Sequence, residues 1–214
     1  MLVLAANSAS AAVITVVDRL FNVDGDTTPA GVVETLNASE LGSVAITVTG
    51  AGPHFVLGFF DYEIDEAINT WFNEFGAASL GAPAAGQSFE IDEPGWGNPI
   101  TSYIGDIYDN FTNNTLDGTV VAGPEDISMA LGWNFVLGAA ETALVTFIID
   151  DVLPASGFYL RQDDIRSEYS LYLRSTLLIT GGVIEPPPTG VPEPTTLALL
   201  AAGLLSLGLR RRRA

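Results

Sequence analysis

The chain has 214 residues, no cysteine, and 26 acidic against 8 basic residues, which gives a formal net charge of −18. The missing cysteines exclude disulfides, thiolate metal sites and cysteine nucleophiles, and the negative charge makes nucleic acid a poor candidate partner. A hydrophobic content of 48% argues against disorder and for one folded domain with its own core.

The first twelve residues predict the remnant of a signal peptide. Ala9 and Ala11 are the small residues of a signal-peptidase site, with cleavage after Ala11 or one residue later. Because the apolar segment is short and no basic residue precedes it, we expect the true start codon to lie upstream. The alternative is that these residues begin the first strand of the domain.

Residues 13–184 predict one all-β domain, an antiparallel β-sandwich or jelly roll. Val44, Ile46 and Val48 alternate with Ala45, Thr47 and Thr49, as expected for a strand with one buried face. Further strand predictions cover 13–17, 55–62, 127–131, 143–149, 157–161 and 170–180, with Gly- and Pro-containing turns between them.

Two local predictions in this domain concern its connections. Residues 63–75 predict a modest amphipathic helix with Ile64, Ile68, Trp71 and Phe72 on one side, and a strand followed by a loop is the alternative. The runs 141–150 and 157–163 predict a hairpin or a crossing between sheets through residues 151–156.

A hydrolase is disfavoured because the residues for one are missing. His54 is the only histidine and follows a Gly-Pro turn, which is typical of a surface residue. No Gly-x-Ser-x-Gly motif is present, since Gly86 to Glu90 fails at its last position. A pair of glycosidase acids is harder to exclude, because Asp61, Glu63, Asp65 and Asp92 are available.

Calcium is the favoured ion if the domain binds one. Asp24 and Asp26 alternate with Asn22 as at the start of a calcium loop, but the glycine is two positions early for an EF-hand and Val33 stands where its last acid should be. Asp61, Glu63 and Asp65 also alternate, and on a strand we expect them to form its solvent-facing side. A third cluster could form where Asp150–Asp151 meets Asp163–Asp164.

Trp96 is a candidate sugar contact because it lies in the glycine- and proline-rich segment 94–99, where an exposed indole could stack on a sugar ring. The alternative is a tryptophan that folds back onto the core. Trp71 and Trp133 are expected to be core residues.

The C-terminal segment predicts a membrane tail. Three consecutive prolines make residues 185–190 a stiff spacer, and a helix is expected over about 195–209. Its uncharged stretch of 13 residues, 197–209, spans roughly 20 Å, short of the ~30 Å hydrocarbon core. The basic cluster Arg210, Arg211, Arg212 and Arg213 predicts a cytoplasmic C-terminus with the domain outside.

Residues 191–214 resemble the PEP-CTERM sorting signal of exported bacterial proteins, a tail that is also labelled an ice-binding C-terminal domain. The resemblance rests on Val191, Pro192, Glu193 and Pro194, the short apolar helix and the terminal arginines. It implies recognition by an exosortase, a membrane-embedded cysteine transpeptidase that removes the tail, in a bacterium that makes extracellular polysaccharide. An ordinary tail anchor is the alternative. The absence of internal repeats weakens a literal ice-binding function.

Together these features predict a non-enzymatic surface or matrix protein without a required cofactor. Its expected partners are signal peptidase and the export machinery, an exosortase, the membrane through the C-terminal helix, and extracellular polysaccharide. A carbohydrate- or calcium-binding module is the second hypothesis, and a secreted hydrolase is the third.

Overall fold

The computed structural model describes residues 13–67, 70–95 and 105–182, all within the first of the chain's two units, residues 1–182. These residues form an all-β fold, as predicted. The strands are β1 (Ile14–Val23), β2 (Val32–Leu36), β3 (Gly42–Thr49), β4 (Gly52–Ile64), β5 (Glu74–Ala78), β6 (Gln87–Asp92), β7 (Ser128–Leu137), β8 (Glu141–Asp150), β9 (Leu160–Asp164) and β10 (Tyr169–Gly181). Helix α1 spans Ile107–Asn113, and Trp71–Asn73 form one 3₁₀ turn.

The strands make two sheets in which neighbouring strands are antiparallel. One has four strands in the order β1-β4-β7-β6, and the other has six in the order β2-β3-β8-β10-β9-β5. Strand β4 is central to the first sheet, where it pairs with β1 along one edge and β7 along the other.

The two sheets share one apolar core, because strand alternation places every second residue on the face between them. Phe147 of β8 meets Phe21 of β1 and Phe60 of β4, with ring centroids 5.9 and 5.6 Å apart. Both Phe60 and Phe147 are fully buried. The layers therefore face each other as in a β-sandwich.

The opposite face of the four-stranded sheet is covered by α1. Ile107 and Phe111, four residues apart on one side of the helix, pack on Leu57 and Phe59 of β4 and on Ala130 of β7. The helix ends at Asn114, which adopts a left-handed conformation with φ 56°. This small second core keeps Leu57, Phe59 and Ala130, on the outer face of the sheet, away from water.

The helix predicted over residues 63–75 is wrong, and the strand-plus-loop alternative is closer. Glu63 and Ile64 complete β4, Asp65 has a left-handed φ of 56°, and β5 begins at Glu74. Among the described residues of this stretch, which exclude 68–69, only the 3₁₀ turn is helical, and it leaves Trp71 46% exposed. Trp71 is therefore not a core residue, whereas Trp133 is 7% exposed and confirms its prediction.

The prediction for the β8–β9 connection is also wrong. Both strands belong to the six-stranded sheet, so residues 151–156 do not cross between sheets. They do not form a hairpin either, because β10 lies between β8 and β9 and pairs with both. After β8 the chain leaves the neighbouring position in the sheet empty and forms β9 one place further along. Strand β10 then returns to the position between them.

Among the described residues, no helix is both long and apolar enough to span a membrane. The helix expected over 195–209 and the spacer 185–190 lie outside these residues. The predicted boundary at residue 184 is likewise outside them, although β10 ends at Gly181.

Candidate functional site

A row of polar residues crosses the outer face of the four-stranded sheet. Asp18 of β1 is opposite Asp61 of β4, Asp61 is opposite Ser128 of β7, and Ser128 is opposite Asp92 of β6. Residues directly opposite each other in antiparallel strands project to the same face. The register therefore places three carboxyl groups in one row, with Asp61 and Asp92 two strand spacings, or about 10 Å, apart.

The carboxyl groups that β4 and β6 place on this face are buried. Asp61 is 2% exposed, Glu63 is 5% exposed and Glu90 is completely buried. The expectation that Asp61 and Glu63 line a solvent-facing strand surface is therefore wrong. Their strand alternates as predicted, but they share the outer face with Leu57 and Phe59, which α1 covers.

Two groups of three carboxylates lie on this side of the sheet. Asp61, Glu63 and Asp126 form the first, which we call the β4 triad, and their ligand oxygens lie within 4.8 Å of one another. Glu90, Asp92 and Asp106 form the second, the β6 triad, at the same spacing.

The β6 triad is held by N–H donors of the protein. The Asn110 side-chain amide donates to Glu90 Oε1 and Oε2 at 3.1 and 3.2 Å. The backbone N–H groups of Glu93 and Asp106 donate to the two oxygens of Asp92 at 2.9 and 3.2 Å. Hydrogen bonds of this kind offset the cost of burying a carboxylate.

The β4 triad has far fewer donors. The Ser128 hydroxyl donates to Asp61 Oδ1 at 3.0 Å. Within the described part of the chain, Glu63 accepts no hydrogen bond, and Asp126 Oδ1 is a buried oxygen without a partner. This triad concentrates negative charge without the internal compensation that its neighbour has.

Burial and mutual repulsion raise the pKa values of these acids. Burial, reinforced by the charge of Asp126, raises the pKa of Asp61 to about 7 and that of Glu63 to about 8. Burial, with the nearby Glu93, raises the pKa of Asp126 to about 6. Without a cation, Glu63 is therefore mainly protonated at neutral pH and Asp61 is partly protonated, whereas Asp126 is mainly ionised.

No ion pair of the described residues reaches either triad. Arg19 pairs with Glu34 and Glu40 at 2.9 and 3.1 Å, and Arg161 pairs with Asp163 at 2.9 Å. The remaining pair joins His54 to Asp24. The sequence contains no lysine. Within the described part of the chain, no basic side chain therefore forms an ion pair with an acid of either triad.

Comparison with known proteins identifies the C-terminal segment. Residues 190–213 match the family model described as the PEP-CTERM protein-sorting motif. The chain carries a PEP-CTERM sorting signal. The match covers about a ninth of the chain, and no curated protein or solved structure is significantly similar to it.

The PEP-CTERM signal indicates export to the cell surface or extracellular space and recognition by an exosortase. The predicted motif residues Val191, Pro192, Glu193 and Pro194 and the cluster Arg210–Arg213 fall within the match. They lie outside the described residues, as do Ala9, Ala11 and Trp96, so the structure does not place them.

His54 lies near the start of β4. Its Nδ1 is 2.7 Å from Asp24 Oδ2 and its Nε2 is 2.9 Å from the Gly50 carbonyl oxygen. Both partners are acceptors, so this geometry favours the doubly protonated ring, and the Asp24 hydrogen bond raises the His54 pKa. Neither nitrogen is left to accept a proton from a serine.

The predicted calcium ligands Asp24 and Asp26 have separate structural roles. Besides its contact with His54, Asp24 accepts a hydrogen bond from the Phe55 N–H at 2.8 Å, while Asp26 accepts one from the Thr28 N–H at 2.9 Å. Neither belongs to a triad of possible ligands among the described residues. Calcium at these two residues stays a prediction.

The third predicted cluster is also divided among separate partners. Asp151 accepts a hydrogen bond from the Tyr169 hydroxyl at 2.8 Å, and Asp163 accepts one from the Ser170 hydroxyl at 2.6 Å. The described residues contain no ligand triad that joins the Asp150–Asp151 and Asp163–Asp164 segments.

The sequence pointed to three of the six triad acids individually, Asp61, Glu63 and Asp92, but not to the two groups. The available signal was the pair of acid-x-acid patterns, Asp61-Tyr-Glu63 and Glu90-Ile-Asp92, within apolar strands. Asp106 and Asp126 carry no such pattern, since one precedes a helix and the other follows a turn.

Proposed function

We propose that this chain is an exported, non-enzymatic surface or matrix protein of a polysaccharide-producing bacterium. In this proposal an exosortase processes the chain through Pro192-Glu193-Pro194. The C-terminal helix first holds the chain in the membrane with Arg210–Arg213 on the cytoplasmic side. The match of residues 190–213 to the PEP-CTERM motif carries the proposal. The occupied nitrogens of His54 support a body without a serine-type catalytic site.

The mature C-terminus tests the processing step. We expect intact-mass spectrometry of the surface form to find a chain that lacks Arg213 and Ala214. Replacing Pro192, Glu193 and Pro194 with alanine should keep the chain intact through Ala214 in the membrane fraction, because the recognition element is gone.

The matched control is Pro187→Ala, a proline change in the spacer that leaves the motif intact and should be processed normally. Retention of Arg213 and Ala214 in the wild-type surface form would show a permanent tail anchor instead.

A carbohydrate-binding module is the second candidate function, and an exposed aromatic pair favours it. Trp71 and Phe72 are 46% and 48% exposed, and their rings meet edge to face with centroids 5.6 Å apart. Exposed aromatic faces of this size suit stacking on sugar rings.

Glycan-array binding tests the second candidate. If the pair binds sugar, Trp71→Ala should reduce the signal at least about tenfold, the effect of losing about 1.4 kcal/mol. Trp96→Ala tests the sequence-predicted contact in the same assay. Leu80→Ala, at an apolar residue that is fully exposed, is the control and should bind normally. No binding by the wild-type chain to any arrayed glycan would eliminate this candidate.

A further inference from the structure

We propose that Asp61, Glu63 and Asp126 form a calcium site on the outer face of the four-stranded sheet. The site goes beyond the sorting function and does not depend on it. It also differs from the calcium loop that the sequence suggests at Asp24 and Asp26.

The placement of the three acids suits a divalent cation. Asp61 and Glu63 are two residues apart on β4 and project to the same face, and Asp126 reaches them from the segment just before β7. Oxygens that share a calcium ion at 2.3–2.6 Å are separated by at most about 5 Å, and the ligand oxygens here lie within 4.8 Å of one another.

Missing hydrogen bonds are the second, independent observation. Buried polar atoms in proteins nearly always have a partner. Glu63 is only 5% exposed and its carboxylate accepts no hydrogen bond from a described residue, although it is directed at Asp61 and Asp126. Asp126 Oδ1 is also a buried acceptor without a donor among the described residues. A cation bound between the three carboxylates would satisfy this oxygen.

The β6 triad serves as an internal comparison. It has the same number of acids at the same spacing, but amide N–H groups hold Glu90 and Asp92 in place. A triad whose carboxylates accept several hydrogen bonds from the protein therefore differs from the β4 triad, which has far fewer donors. We assign the ion to the β4 triad because that is where hydrogen-bond donors are missing.

The ligand chemistry favours calcium over other cations. All three side chains offer hard carboxylate oxygens, and the chain has no cysteine and no second histidine with which to bind softer metals. Calcium accepts irregular oxygen shells, whereas magnesium demands a near-octahedral one. Extracellular calcium modules bind in the range of about 10⁻⁴–10⁻³ M, which suits three protein carboxylates completed by water.

Thermal unfolding of the purified full chain in mild detergent tests the site. With 5 mM CaCl₂ we expect a midpoint about 5 °C or more above that in EDTA, because an ion that binds only the folded state stabilises it. Magnesium at 5 mM should give a smaller rise.

Two variants localise the effect. Glu63→Gln and Asp126→Asn should each lose most of the calcium response, because each variant removes one of the three carboxylate ligands. Asp109→Asn removes an exposed acid from α1 and should respond like wild type. Glu90→Gln in the β6 triad should also keep the response.

Equilibrium dialysis with ⁴⁵Ca²⁺ gives a readout that does not depend on unfolding. The wild type should bind one ion that Asp126→Asn loses, with far-UV circular dichroism confirming that the variant is folded. No bound calcium at millimolar concentration, or binding that survives in both β4-triad variants but is lost in Glu90→Gln, would overturn the assignment.

Discussion

Replacing Phe147 with alanine is expected to lower the free energy of unfolding by about 3–5 kcal/mol, the range for removing a buried phenylalanine ring. Phe147 is fully buried and is the residue of the six-stranded sheet whose ring contacts Phe21 and Phe60 of the other sheet. The loss therefore removes contacts between the two layers as well as apolar burial. For a domain of this size the unfolding midpoint should fall by roughly 6–20 °C.

The neighbours of Phe147 are poorly placed to fill the cavity that the Phe147→Ala substitution would leave. Gly58 of β4 lies beneath the two rings, and a Cβ atom there would be only 2.8 Å from Phe60 and 3.1 Å from Phe147. A glycine has no side chain with which to fill the gap that alanine at residue 147 would leave. The cost should therefore lie toward the upper part of the range.

Thermal melts of two variants from the same strand provide the comparison. Leu144→Ala is the matched control, because Leu144 is on β8 but is 37% exposed, and its loss should cost less than about 1 kcal/mol. A Phe147→Ala midpoint within 2 °C of wild type would contradict the shared core between the sheets.

The strand alternation predicted much of this core from the sequence. Val44, Ile46 and Val48 are all buried on the inner face of β3, as their spacing indicated. Alternation works here because a strand places successive side chains on opposite faces whatever its neighbours are. It does not reveal strand order, so β10 could not be placed between β8 and β9 from local pattern.

The outer face of β4 shows why the candidate site was not predictable in the same way. Asp61 and Glu63 occupy the face that a sandwich normally exposes, yet both are buried. On the same face the remote helix α1 covers Leu57 and Phe59. Helix α1 contacts the sheet through Ile107 and Phe111 as its buried residues, too few to give a recognisable amphipathic period. The triads also depend on strand register and on loop positions that the sequence pattern does not encode.

Buried carboxylates of both sheets, Glu63 on β4 and Glu74 on β5, predict an unusual dependence of stability on pH. Burial, with the charge of Glu63, raises the pKa of Glu74 to about 9, against the hydrogen bonds that it accepts from Gln162, Ile127 and Ile64. Between the unfolded pKa near 4.3 and these raised values, the folded chain holds protons that the unfolded chain has released. Stability in EDTA should therefore fall as pH rises across this range, the reverse of the usual behaviour of salt-bridged acids.

The size of this fall should be large, because a tenfold difference in proton affinity between the folded and unfolded chain corresponds to about 1.4 kcal/mol for each group. Burial holds the pKa values of Glu74 and Glu63 at about 9 and about 8, far above those of exposed glutamates. We expect the unfolding midpoint in EDTA to drop by about 10 °C or more between pH 5.5 and 8.5. His54 acts in the same direction, since its raised pKa means that its bond to Asp24 weakens as the ring deprotonates.

Melts at several pH values with Glu74→Gln assign the effect to particular groups. The glutamine keeps a carbonyl acceptor near the backbone N–H groups of Ile64 and Ile127 but does not titrate, so the slope of midpoint against pH should decrease. Asp109→Asn, an exposed acid on α1, should keep the wild-type slope. Calcium at 5 mM should also flatten the wild-type slope, because a cation at the β4 triad favours the ionised acids and offsets their repulsion. A wild-type midpoint in EDTA that stays constant or rises from pH 5.5 to 8.5 would mean that these carboxylates ionise inside the fold without cost.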